Sequence, residues 1–135
     1  MNLTIRHEKM SDLFDKYHIE GLEFPVVIHH FKGPEPEDAE PHDHPFDFTT
    51  FIMKGGYTET IHRTELGHHT FDFIHEEGCS HKVEATDIHL ITKMSEGGCF
   101  TLMLPGEKVR EPGFWKFDES GAHFRQHDSS EFKLK

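Results

Sequence analysis

The chain has little of several things. Of its 135 residues only two are cysteine, Cys79 and Cys99, and one is tryptophan, Trp115. Two thiols cannot build a disulfide framework, and without CxxC pairs a zinc ribbon is excluded. Positive charge is also scarce, with 14 Lys and Arg against 25 Asp and Glu and a formal net charge of -11. Such a surface repels phosphate backbones and anionic lipid, so neither nucleic acid nor a membrane is expected as a partner. Long apolar runs are missing too. FPVVI and FTLMLP are too short to span a bilayer, and MNLTIRHEKM has no signal-peptide core, so a cytoplasmic protein with free thiols is the expectation. No GxSxG, P-loop or GxGxxG occurs, which removes the simplest arguments for a serine hydrolase or a nucleotide enzyme. His75-Glu76-Glu77-Gly78-Cys79 starts like a zinc-protease HExxH but lacks its second histidine and reads as a turn.

What is abundant is histidine, with 14 copies. Their ordinary pKa is about 6.5, so full protonation would carry the formal charge from -11 to +3. Either pH sensing or metal binding is implied. The hydrophobic fraction is only 34%, but 13 phenylalanines supply the large units that a small single-domain core needs.

Ser11 followed by Asp12 and Asp15, with Leu13, Phe14 and Tyr17 at helical spacing, predicts one short N-capped helix over about 11–17. Beyond it helical periodicity vanishes. Eight short runs rich in Phe, Ile, Val and Thr follow: FPVVIHHF, FTTFIMK, YTETIH, HTFDFI, CSHKVE, IHLITK, CFTLML and FWKFD. Breakers separate them at Gly55-Gly56, Gly67, Glu77-Gly78, Thr86-Asp87 and Gly97-Gly98. The expected fold is all-β, a single-domain antiparallel sandwich or barrel over about 24–118, with a tail over about 119–135 that has no strong periodicity. The acidic, proline-rich GPEPEDAEP at 33–41 cannot pair as a strand and is either a solvated connection or a loop at a pocket mouth.

His42-Asp43-His44 is the first candidate for chemistry. In a strand, positions i and i+2 share a face, so two imidazoles could converge on one ion. After it come Pro45, a carboxylate at Asp47, the Gly55-Gly56-Tyr57 turn, and Gly78-Cys79-Ser80-His81, whose histidine lies 37 residues after His44.

This order of residues resembles the cupin superfamily, whose first motif pairs an HxH with a downstream Glu and a Gly, and whose second centres on a Gly-x-x-His. HDHPFDFTTFIMKGGYTE, the GCSH turn and PGFW at 112–115 resemble more closely a group of small cupins with an HDHPWDF, GGYxE, GxxH and GFW pattern. The resemblance, which covers roughly 26–118, implies a jelly-roll (double-stranded β-helix) barrel and a divalent transition metal, iron, zinc, manganese, nickel or copper. By carry-over His42, His44 and His81 are its histidine ligands. The motif's Glu falls on Phe48 or Thr49, which leaves Asp47, one residue early, as fourth ligand if a bulge at Pro45 resets the strand parity. Without Asp47 the site is a three-histidine one, as in thiol dioxygenases.

Tyr57, Cys79 and Trp115 are the candidates to line a substrate pocket, beside the alternative that each simply packs: a half-buried sheet aromatic, a buried core thiol and a terminal-strand anchor. His29, His30, His62, His68, His69 and His75 could extend the metal site, although strand-surface positions explain most of them. The expected function is a metal-dependent, dioxygenase-like enzyme acting on a small molecule. The alternatives are a non-catalytic sugar- or metabolite-binding module, or an isomerase or epimerase with Tyr57 or His62 as base. Pairing as a homodimer through outer strands is compatible with the resemblance.

Overall fold

A computed structural model describes residues 2–135, and the described residues are all-β with no helix. The first sheet has six strands in the order β1-β2-β3-β9-β4-β7. These are β1 (Thr4–Ser11), β2 (Phe14–Glu20), β3 (Val26–Phe31), β9 (Cys99–Pro105), β4 (Phe48–Lys54) and β7 (Ser80–Val83). A second sheet places β5 (Tyr57–Arg63) between β6 (His69–His75) and β8 (Ile88–Met94), and a third comprises β10 (Gly113–Asp118), β11 (Gly121–Gln126) and β12 (Lys133–Leu134). Every strand pair is antiparallel. The eight runs expected from sequence are β3 to β10, and the expected breakers fall between them.

The helix expected over 11–17 is instead the turn and second arm of the β1–β2 hairpin. Ser11 Oγ accepts the Leu13 amide at 3.1 Å, the same short-range bond that caps a helix, but here it closes a turn. Pairing decides the outcome: β2 bonds to β3 along its length, Phe14 stacks on Phe31 at 4.5 Å, and Asp15 is buried against Lys32. The two-sided ladder outweighs a weak local helix preference. The tail likewise contains β11, paired with β10, and β12, paired with β11. The sheets do not close into a barrel, because β1 and β6 lie at outer edges and are exposed along most of their length.

Strict alternation selects what faces inward. In β4 the inward residues are Phe48, Thr50 and Ile52; in β9, Cys99, Thr101 and Met103; in β5, Tyr57, Glu59 and Ile61. One apolar cluster (Val27, Phe48, Val83, Met103) belongs to the first sheet, whereas a second (Ile52, Tyr57, Ile91, Cys99) ties the first sheet to the second. In β5 the middle inward residue is therefore a carboxylate among core side chains.

A candidate metal centre of two histidine groups

Two groups of metal-ligating side chains stand out among the described residues, His42 with His44 and His89, and Glu59 with His75 and His81. Within each group the ligand atoms lie within 4.8 Å of one another.

The first group is built around a loop. His42 acts as a one-residue strand between β8 and β10, pairing with His89 on one side and Phe114 on the other. Its amide donates to the His89 carbonyl at 3.1 Å and the His89 amide returns the bond at 2.9 Å. His42-Asp43-His44 is thus not a regular strand segment, and the parity argument made for it from sequence does not apply. The intervening Asp43 turns inward, its side chain 1% exposed. It accepts Gly113 N at 2.7 Å and Trp115 Nε1 at 2.9 Å, and Arg110 Nη1 lies 2.7 Å away. This buried carboxylate fastens the HxH loop to β10 and satisfies three donors at once.

Three rings then converge. His44 Nε2 and His89 Nε2 are 3.1 Å apart, and His42 packs edge-on to both. Two imidazole nitrogens sharing one ion at about 2.1 Å, at right angles, would stand about 3.0 Å apart. Burial is the main cause that depresses the pKa of His42 to about 3 and of His44 to about 2, with the field of His89 adding to both. Both are neutral near pH 7, the state a ligand needs. His44 Nδ1, on the other side of the ring from the converging Nε2, is buried without a hydrogen-bond partner. On its far side His89 Nδ1 is hydrogen-bonded to Glu59, an arrangement that fixes ring orientation and tautomer in carboxylate–histidine–metal sites. The donor set fits a divalent transition metal.

Glu59, 3% exposed, also receives His75 Nε2 at 3.0 Å and so joins the two groups. Burial alone would raise its pKa, but the bonds from His75 and His89 and the field of His89 and His81 outweigh this and hold it well below the usual carboxylate range. In the second group His81 stacks on His75, centroids 3.5 Å apart, and its Nε2 accepts the Tyr57 hydroxyl at 2.6 Å. Burial, then the neighbouring His75, lowers the His81 pKa to about 4.

Of the residues expected from sequence to bind metal, His42 and His44 are brought together. His81 lies in the adjacent group, and Asp47 belongs to neither: its Oδ1 accepts the Ala85 amide at 2.7 Å, holding the chain after β7. Tyr57 is buried beside His81, and Trp115 bonds Asp43 behind the first group. Cys79 is exposed on the turn after β6, not in the core, because its amide closes that turn onto Glu76 O at 3.1 Å. His30 stacks on Phe100, while His62 and His68 stack on Phe117, apart from either group. The 33–41 segment is a loop, as expected, and Glu35 pins it: its amide and carboxylate bond Ile91 O and N at 2.9 and 2.7 Å, with Oε1 3.7 Å from His42 Nδ1.

His89 and Glu59 were not found from sequence. His89 is embedded in the apolar run IHLIT, where nothing marks it. Glu59 did carry a signal, since in YTETI it shares the face of Tyr57 and Ile61, and an acid on a core face needs partners.

No family model matches the chain, and no curated protein matches it. Solved structures do. Hydroxypropylphosphonic acid epoxidase from S. wedmorenis aligns over 76% of this chain and 55% of its own, with TM-score 0.59 and 14% identity. The 7S globulin of Momordica charantia aligns over 84% and 36%, with TM-score 0.59 and 11% identity. CapF, solved with the inhibitor 3-isopropenyl-tropolone, aligns over 93% and 35%, with TM-score 0.59 and 12% identity. The chain thus spans about half the length of the epoxidase and about a third of the other two. These likenesses establish a cupin-type fold.

Proposed function

We propose that this chain is a divalent-metal-dependent cupin enzyme that carries out oxygenase-type chemistry on a small organic molecule, with His42, His44 and His89 as ligands. The observation that carries the reading is the convergence of three imidazoles, with His89 braced by the buried Glu59. When bound, the ion would supply Lewis acidity and open positions for substrate and oxygen. The chain's own part is positional. Asp43 holds the HxH loop against β10, Glu59 sets the His89 ring, and Glu35 places a carboxylate at the His42 edge of the site. Support for oxidative chemistry comes from the epoxidase of similar fold, which has been solved with Fe(II) and with Co(II).

Elemental analysis of protein from metal-replete cells tests this directly. Near-stoichiometric transition metal that is lost in His44→Ala and His89→Ala is expected, together with oxygen consumption when candidate thiols or diols are supplied to the iron form. Wild-type protein that is metal-free as isolated and whose Tm does not rise with added iron, zinc or manganese would sink the reading.

A further inference from the structure

We propose that Glu59, His75 and His81 form a second divalent-cation site, beside the first and sharing Glu59 with it. The placement comes from three strands. Glu59 on β5 lies two residues along the same face from Tyr57, which pairs with His75 of β6, so both reach one spot from the second sheet. His81 arrives from β7, at the edge of the first sheet. The site would therefore be chelated across the two layers, with a carboxylate oxygen from Glu59 and imidazole nitrogens from His75 and His81. Tyr57 Oη, 2.6 Å from His81 Nε2, is the nearest further donor. Two imidazoles and a carboxylate suit zinc, cobalt(II), copper(II) or iron(II) better than calcium or magnesium.

The geometry also sets the order of filling. The His75 and His81 rings lie within 13° of parallel, so their in-plane lone pairs point side by side and not at one centre. An ion must tilt one ring and displace the Tyr57 hydrogen bond, whereas in the first group the His44 and His89 rings already stand at 87° and an ion has only to replace their own 3.1 Å contact. The first site fills first and the second binds more weakly. Because Glu59 braces His89 in one site and would ligate in the other, occupancy of the second site reduces its hold on His89.

The experiment is a titration of metal-stripped full-length protein with Co(II), followed by absorption and by metal analysis, with zinc as a repeat. Wild type is expected to bind two equivalents in resolved steps. His75→Gln and His81→Asn should each lose the weaker equivalent, His44→Ala the tighter one, and Glu59→Gln should lose the weaker and loosen the tighter by about 10–100-fold. Saturation at one equivalent, unchanged in His75→Gln and His81→Asn, overturns the second site while leaving the first intact. Two equivalents that survive both substitutions assign the extra ion to surface histidines and overturn it equally. If only the His44→Ala protein retains wild-type stoichiometry, the first site fails and the second stands. Should one of the two second-group variants fold poorly, the other, read against wild type, still decides.

Discussion

The two histidine groups share Glu59 yet are built by different means. His75 and His81 sit on regular strands, where sheet register alone places them. His42 and His44 sit on a loop with a single bridging residue, and their placement depends on a side chain between them, Asp43, that belongs to neither group. A site on strands inherits the stability of its sheet, whereas a site on a loop requires a separate anchor. Arg110, Gly113 and Trp115 come from the C-terminal part of the chain, so the first group depends on a segment remote in sequence and the second does not.

Asp43→Ala should therefore separate the groups most sharply. It strips the partly exposed Arg110 guanidinium of its ion partner and leaves the buried Gly113 and part-buried Trp115 N–H groups unpaired, a loss of about 3 kcal/mol, the low end for breaking a buried pair. Urea unfolding should show that loss, and metal titration should show the tighter Co(II) equivalent weakened while the weaker one keeps its affinity. Equal loss from both steps would mean the latch serves the whole fold and not the loop.

Glu59→Gln probes what the groups have in common. The amide keeps the shape but removes the charge that orients His89, so tight-site affinity should fall by about 10–100-fold. Trp115→Phe is milder. It removes one donor from Asp43 while Arg110 and Gly113 N remain, costing about 1.5 kcal/mol for one hydrogen bond to a charged acceptor, with a smaller loss of metal affinity than Asp43→Ala.

The same contrast governs how much of the molecule was legible in its residues. Strands β3 to β10 could be read because each carries a β-rich run closed by a breaker, and register follows from such local patterns. The β1–β2 hairpin could not, because Ser11 makes the same amide bond in a turn as in a helix cap, and only pairing with β3 chooses between them. In the site, HxH exposed His42 and His44. The side chain it did not expose as structural is the one it contains, Asp43. Asp47 has the spacing of a ligand, but a carboxylate's role is set by what lies opposite it, and opposite Asp47 is the Ala85 amide. His89 and Glu59 come into position only when β5 pairs with β8, a contact between distant residues that no window of sequence contains.

His29 offers the finest test, because it is a half-buried imidazole, with its Nε2 buried, outside both groups. It lies on β3 against Phe14 and Phe31, its Nε2 is buried without a partner, and burial, with the nearby Lys16 and His18, lowers its pKa to about 3. A histidine depressed in the folded state takes up a proton on unfolding between that value and its ordinary pKa of about 6.5. Its contribution is intact above about pH 6.5 and is lost as pH falls toward 3, with a slope of at most about 1.4 kcal/mol per pH unit. His29→Phe should change stability at pH 7 by less than about 1 kcal/mol and flatten the acid limb of the stability curve by up to that slope. Metal stoichiometry should not move. Measured on metal-free protein, the difference between wild type and variant isolates one imidazole from the other 13. An unchanged acid limb would show that His29 becomes hydrated and charged within the fold.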